Sequence, residues 1–449
     1  MKVSFFTLGC KLNYAETSQL REQFEQAGHT IVEFGQPSDA VIINTCTVTE
    51  NADGECRKII RRALRISPDA FIGVTGCYAQ LQPEEIASID GVDAVFGTQE
   101  KMKIPELMPS FEKVDTPLIF ASDFEEPEFQ IAKSADTDSR TRAYLKLQDG
   151  CNYSCSFCTI PMARGKSRSM EFSSILRQIN ELEKAGFKEI ILSGINLGDY
   201  STQDGRTFTD IIRLIHTLDT DIRFRIGSVE PNLLHQDIIS MIAESEVIVP
   251  HFHIPLQSGS VEMLRLMRRR YKAAYYADLV HRIKDLMPDA CIGADVIVGF
   301  PGETNQHFTE NYRFIEALPV SYLHVFTYSE RENTPAAQFP GKVSMQERKS
   351  RNAQLRELSL QKKSAFYQSQ AGKTQRVIPE TYHQETGRWS GWTDNYIRAE
   401  FMAPPSMLQQ AVMVELQSFD SETELMQAKM LHSVDQASSI NATYIPILL

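Results

Sequence analysis

Short apolar runs alternate with segments of helical period through residues 1 to about 98: VSFFTLG, AVIINT, FIGVTG and AVFG, separated by ETSQLREQFEQAG, ADGECRKIIRRALRIS and PEEIASI. Parallel strands can be joined only by long crossovers, and helices supply them, so this alternation commits residues 1–110 to a parallel α/β sheet domain. A second series fills 139–368 with RAYLKLQDG, EIILSGINLG, RFRIGSVEP, HFHIPLQSG, CIGADVIVGFP and SYLHVFTYS. Six strands with helices between most neighbours predict an open (βα)6 part-barrel, whose ligand sites lie at the carboxyl ends of its strands. Between the two series, residues 111–138 carry acidic clusters and little periodicity and read as a linker. After the helical stretch QERKSRNAQLRELSLQKKSAFYQSQAG, short strands without intervening helices predict a small antiparallel β-barrel at 370–432, and residues 433–449 form an unassigned tail. The fold class is α/β, multidomain.

A chain of 449 residues exceeds one hydrophobic core, and its 23 % charged and 42 % hydrophobic residues are those of a globular protein. No run of 18 apolar residues occurs, and the N-terminus has no small-residue cleavage site, so a cytoplasmic location without a membrane partner is expected. In a reducing compartment its eight cysteines are metal ligands, catalytic thiols or buried apolar residues rather than disulfide partners. A net charge of −12 and a pI near 5.4 argue against non-specific nucleic-acid binding by the whole chain, but not against local patches.

The stretch DGCNYSCSFCTIP places Cys151, Cys155 and Cys158 on one loop, one thiol short of a closed four-ligand site. Thiolates suit iron–sulfur clusters or zinc, and zinc would want a nearby fourth ligand, whereas the next histidine is His216. CxxxCxxC with Phe157 before its last cysteine, at the head of a six-strand barrel, resembles the radical S-adenosylmethionine (SAM) superfamily. The resemblance implies a 4Fe–4S cluster with one iron left open for SAM, which reduction cleaves to a 5′-deoxyadenosyl radical. It also implies SAM contacts at the strand-end residues Ser193, Gly194, Ser228, Glu230, Gln257, Ser258 and Asp295, with Gly299 and Glu303 beside them.

Cys10, Cys46 and Cys77 each follow a strand directly, in VSFFTLGC, VIINTC and FIGVTGC, so all three belong to the carboxyl edge of one parallel sheet, where α/β sheets place their sites. Three buried, inert thiols are the competing reading. Cys56, inside a helix, and Cys291, at a strand start, read as structural. The three domains together resemble the methylthiotransferases. That resemblance implies a second, auxiliary 4Fe–4S cluster on Cys10, Cys46 and Cys77, and a terminal barrel (TRAM) that contacts substrate. It implies as well two SAM molecules per product and an electron donor such as flavodoxin or ferredoxin. The sulfur source stays open, and no catalytic acid or base is assigned.

The motif GCKLNYAE resembles the threonylcarbamoyladenosine tRNA branch of that family, which converts the C2 hydrogen of the modified adenosine beside the anticodon to a methylthio group. The isopentenyladenosine and ribosomal-protein aspartate branches are the alternatives, and a non-catalytic RNA-binding iron–sulfur protein is the alternative from another class. Lys11 of this motif also reads as an exposed loop charge.

In CRKIIRRALRIS, Arg57, Lys58, Arg61, Arg62 and Arg65 fall on one helical arc opposite Ile59, Ile60, Ala63 and Leu64, a basic stripe suited to phosphates or simply a solvated face. Further clusters are Arg164, Lys166 and Arg168, and residues Arg265 to Lys272. In the terminal barrel Arg388 and Arg398 interleave with Trp389, Trp392 and Tyr396, which suits stacking on exposed bases, or the tryptophans fill the barrel's core. SERENTPA carries Asn333 where the family often has glycine, and Asn tolerates a left-handed backbone. Neutralising Arg61 and Arg65 together is expected to weaken tRNA binding and to lower the slope of log K against log salt by about 2; an unchanged slope in filter-binding titrations supports the solvated face.

Overall fold

Strands β1 (Lys2–Thr7), β2 (Thr30–Val32), β3 (Ala40–Thr45), β4 (Phe71–Gly76), β5 (Ala94–Phe96) and β6 (Leu118–Phe120) form one parallel sheet in the order β2-β1-β3-β4-β5-β6. The structure, a computed structural model, describes residues 1–46, 50–123, 129–135, 141–408 and 410–434. β3 and β4 are buried along their whole length, as parallel strands covered on both faces must be. Helix α1 (Lys11–Gln26) lays Leu20 and Phe24 on one face, against Val3, Ile42 and Phe71. Helix α2 (Glu50–Ile66) lays Ile59, Ile60 and Ala63 on the other, against Val41, Ile43, Ile72 and Val74. The short helix α3 (Cys77–Leu81) follows β4 without a break.

Residues 111–138 are more than a linker, which corrects the compositional reading. β6 extends the first sheet beside β5, and β7 (Lys133–Ala135) pairs antiparallel with β8 (Arg142–Lys146), the first strand of the next domain. Three-residue edge strands are too short to show a period of two. The rest of that reading, at 124–128 and 136–138, lies outside the described residues.

Past the ribbon of β9 (Gln148–Asp149) and β10 (Arg168–Ser169) come β11 (Glu189–Ser193), β12 (Arg223–Ile226), β13 (His251–His253), β14 (Cys291–Val298) and β15 (Tyr322–Thr327). Parallel ladders join β8, β11 and β12, and likewise β13, β14 and β15; the bridges Phe224–Ile248 and Ser228–His253 link the two groups. Six parallel strands thus curve in chain order and stay open between β15 and β8. Ala143, Leu145, Ile190, Leu192, Phe224, Phe252, Ala294, Val296 and Leu323 pack into the helix-side core. Because side chains alternate along a strand, Tyr144, Glu189, Arg225, His253, Asp295 and His324 face the lumen, which is therefore polar.

The first domain closes the open side. α1 brings Tyr14 to 6.1 Å from Tyr144 and inserts Glu16 into a buried ionic network. Glu16 accepts from Lys101 (2.5 Å), Arg164 (2.9 Å) and Lys146 (3.3 Å), and Asp149 accepts from Arg168 (2.9 Å), Arg164 (3.0 Å) and Lys146 (3.3 Å).

The helix Met345–Gln368 leads to a closed barrel of β16 (Thr374–His383), β17 (Arg388–Thr393), β18 (Arg398–Met402), β19 (Val412–Asp420) and β20 (Leu425–Ser433), in the order β16-β17-β18-β20-β19. Every pairing is antiparallel except β18 with β20. Five strands closed into a ring cannot alternate throughout, so the expected antiparallel barrel must hold one parallel pair. Its loop plugs the amino end of the lumen. Arg223 donates to Asp394 Oδ1 (2.8 Å) and to the Trp392 carbonyl (2.9 Å), Arg225 donates to the Asp394 carbonyl (3.0 Å), and Tyr396 stacks on His251 with centroids 4.1 Å apart.

Burial alone would raise the carboxyl of Asp149, but Lys146, Arg164 and Arg168 outweigh it and hold the group at about 2. Glu16 is likewise held well below the carboxylate range, against burial, by Arg164, Lys101 and Lys146. A depressed folded-state pKa contributes stability that is present above the unfolded value and lost as pH falls through the folded one. Glu16→Gln is therefore expected to cost about 3 kcal/mol at neutral pH, by leaving buried cations uncompensated, and to flatten the loss of melting temperature below about pH 4. Parallel melting curves for the two proteins at every pH would contradict this.

Candidate metal and cofactor centre

The three strand-end cysteines of the first sheet share one edge. Cys10 is exposed at the N-cap of α1, Cys46 is buried at the end of β3, and Cys77 is buried as the first residue of α3. The edge is crowded enough to require glycine before two of them. Gly9 (φ +103°) leaves no room for a Cβ, which would stand 2.8 Å from Cys46 Sγ, and one on Gly76 (φ +103°) would stand 2.3 Å from the Thr45 carbonyl. Burial pushes the Cys77 thiol up while Arg164 and Lys101 pull it down. Arg164 ends the helix Ile160–Arg164, which follows Cys151, Cys155 and Cys158 in the chain, and its charge acts on Cys77 of the first set.

The second set is held by backbone and aromatic contacts. The Tyr153 N–H donates to Cys151 Sγ (3.4 Å), Ser156 Oγ donates to the Leu266 carbonyl (2.7 Å), and Phe157 meets Phe300 edge-on. Arg269 donates to Cys155 Sγ (3.1 Å) and also pairs with Glu230. Burial pushes Cys151 up to about 11 and Cys158 up to about 12. Thiols so placed become thiolates at neutral pH only where a metal replaces the lost solvation.

Among the described residues, only His253, Asp295 and His324 gather three donor atoms within 4.8 Å of one another. Each cysteine trio is spread wider. Sulfurs sharing one zinc, at about 2.3 Å from it, would fall within about 4.6 Å, so neither trio is set as a mononuclear zinc site.

A cavity of about 210 Å³ joins Cys158 to Gln257, Asp295, Ile297 and Tyr328. Gln257 adopts φ +65° so that its N–H reaches the Asp295 carbonyl (2.7 Å), and Asp295 Oδ1 accepts from His253 Nε2 (2.8 Å). Ser193 and Gly194 end β11, next to Gln148 and to Asn196, a buried residue whose two amide atoms have no partner among the described residues. Buried amides are normally satisfied, so Asn196 is poised for a polar ligand. Ser228 bridges to His253, and Glu230 stands by Cys155 through Arg269. Ser258 is fully buried, and its hydroxyl accepts the Ser260 N–H (3.2 Å). Gly299 and Glu303 are structural, packed on Arg348 and paired with Arg351.

Sequence reasoning missed Arg269, Asn196 and the lumen position of Lys11. The first two sit inside motifs that it quoted, RLMRRRYK and LSGINLG, but nothing in the spacing separates a ligand-facing residue from its neighbours. Lys11 is exposed at the start of α1, yet the protein around it and the charges of the lumen residues Arg142 and Arg225 bring its ammonium down to about 8.

The basic stripe on α2 is partly engaged. Arg57 donates to Glu85 (2.5 Å), Lys58 pairs with Glu55 (2.6 Å), and Arg62 lies 5.2 Å from the Phe34 ring centroid. Arg61 and Arg65 are exposed and have no ion-pair partner among the described residues. The aromatic residues expected to stack on bases have partners within the protein. Trp389 is buried and donates to the Pro404 carbonyl (3.0 Å), Trp392 stacks on Tyr396 at 4.3 Å with Arg398 5.9 Å from its ring centroid, and Arg388 binds Gln427 (2.5 Å) and Glu400 (3.3 Å). Cys56 and Cys291 are buried in apolar cores. Asn333 takes φ +65°. No described helix is long and apolar enough to cross a membrane.

Residues 2–97 match the model of the uncharacterized protein family UPF0004, and residues 145–315 match that of the radical SAM superfamily. The chain is 40 % identical to the threonylcarbamoyladenosine tRNA methylthiotransferase MtaB of Bacillus subtilis, over 92 % of this chain and 93 % of that one. It is 36 % identical to the protein of the same name from Aquifex aeolicus, over 84 % and 92 %. The tRNA-2-methylthio-N(6)-dimethylallyladenosine synthase of Fusobacterium nucleatum matches at 33 %, over 84 % and 88 %. Among solved structures, the radical SAM methyltransferase TsrM of Kitasatospora setae superposes with a TM-score of 0.55 at 15 % identity, covering 75 % of this chain and 77 % of that one, a likeness of fold alone.

Proposed function

Because the chain belongs to the methylthiotransferase family of radical SAM enzymes, we propose that it converts the C2 hydrogen of N6-threonylcarbamoyladenosine beside the anticodon of tRNA to a methylthio group. The observation that supports this reading is the presence of three cysteines at the strand ends of the first sheet and three on one loop at the head of the barrel, with Arg164, just after the second set, acting on Cys77 of the first. A C2 hydrogen of an aromatic purine is neither acidic nor attached to a leaving group, so an acid–base pair alone could not exchange it for sulfur.

In this reading Cys151, Cys155 and Cys158 would hold a 4Fe–4S cluster, and Cys10, Cys46 and Cys77 would hold an auxiliary one. With SAM the first would supply radical chemistry able to abstract hydrogen, and the second would supply sulfur chemistry. Arg269 orients Cys155 and neutralises Glu230. Gln257, Asp295 and Asn196 offer the acceptors and donors that SAM's amino, carboxylate and ribose groups need. The Tyr396 plug closes the lumen's far end to water. The partition of domains follows the same division of labour, with the auxiliary site in 1–110 and the SAM site in 139–368. An electron donor of flavodoxin or ferredoxin type and a cytoplasmic setting complete the proposal.

Cys158→Ala is expected to retain about half of the iron and to lose cleavage of SAM to 5′-deoxyadenosine, whereas Cys77→Ala keeps cleavage and loses thiolation. Anaerobic assays on reconstituted protein with threonylcarbamoyladenosine-containing tRNA check both. Full thiolation by Cys77→Ala would overturn the auxiliary site, and wild-type protein that cleaves no SAM would overturn the enzyme.

A further inference from the structure

Lys11 is a charge for which the site described so far has no use. It opens α1, and one turn later Tyr14 of the same helix lies 6.1 Å from Tyr144 on β8, the strand that borders the barrel's open side. Residues i and i+3 share a helix face, so Lys11 reaches through that opening. The charges that act on it are lumen charges: Arg142, Arg225, Glu189 and Asp295. His324, on the far edge strand, feels Lys11 in turn.

The other cations of this lumen have carboxylate partners within the protein. Arg142 pairs with Glu380 at 2.6 Å, while Arg223 and Arg225 share Glu189. Of the lumen carboxylates, Glu189 is held by two guanidiniums, and Asp295 accepts a hydrogen bond from His253 (2.8 Å). Lys11 has no hydrogen bond or ion pair among the described residues. It is an exposed ammonium without a direct partner among them, set toward a polar lumen whose Asp295 also lines the Cys158 cavity. Such a site suits an anion that arrives with a ligand, because the ligand's charge then replaces lost solvation. The same ammonium disfavours a divalent cation on His253, Asp295 and His324, although their donor atoms are close enough to hold one.

Resting on the substrate class proposed above, we infer that Lys11 is the subsite for the carboxylate of the amino-acid arm on the substrate adenine. A threonylcarbamoyl group ends in a carboxylate, and a dimethylallyl group is an uncharged hydrocarbon. One ammonium at this place therefore distinguishes the two by charge before any chemistry begins. Lys11 is in this sense a specificity-determining residue that touches the substituent and not the reacting C2 carbon.

The test measures binding by fluorescence anisotropy, using reconstituted holoenzyme and anticodon stem-loop RNAs. The RNAs carry threonylcarbamoyladenosine, its carboxamide analogue or dimethylallyladenosine. The wild type is expected to bind the carboxylate about tenfold more tightly than the carboxamide. Lys11→Gln should erase that difference with carboxamide binding and iron content unchanged, and Lys11→Arg should restore part of it. If Lys11→Gln keeps the tenfold difference, or weakens both RNAs equally, the subsite assignment is overturned while the substrate reading stands. A wild type that prefers the dimethylallyl RNA overturns the substrate reading itself.

Discussion

The buried network around Glu16 and Asp149 is the constraint on which the two-domain arrangement depends. Glu16 and Lys101 come from the first domain, Lys146, Asp149, Arg164 and Arg168 from the second, and burial makes each charge costly without the others. The network therefore fixes a register between two sheets whose carboxyl edges carry the cysteines. Arg164 belongs to it and also acts on Cys77, so a residue that docks the domains also bears on the first cysteine set. A second set of buried charges, Glu189 with Arg223 and Arg225, does the same for the terminal barrel, whose Asp394 and Tyr396 loop becomes the floor of the lumen.

Seen this way, the barrel lumen is a shared space. Its walls are the alternate residues of six strands, its side is closed by α1, its floor by the terminal barrel, and its mouth by the cysteine loop. Each closure is polar, which suits a substrate that brings its own hydrogen-bonding groups and charge. Lys11 enters from the side that the first domain closes, so substrate selection and auxiliary-site chemistry fall on adjacent residues, Cys10 and Lys11.

Much of this was legible in the sequence because parallel α/β chains write their topology in alternation. The six barrel strands and the cysteines after β1, β3 and β4 were readable for that reason: a strand followed at once by Cys has only one edge at which to place it. What escaped were features set by contacts distant in sequence. β6 and β7 are too short to show a period. Tyr396 looks like a base-stacking residue until His251 and Arg225 are placed against it. Lys11 reads as a loop charge from its neighbours and as a lumen charge only once α1 is docked.

The central claim is that these parts act together on one tRNA nucleoside. It is tested most directly by mass spectrometry of nucleosides from bulk tRNA of cells with and without the gene. The account predicts that 2-methylthio-N6-threonylcarbamoyladenosine alone disappears while its unthiolated precursor accumulates. An unchanged tRNA profile, or loss of the methylthio group from dimethylallyladenosine instead, would contradict it.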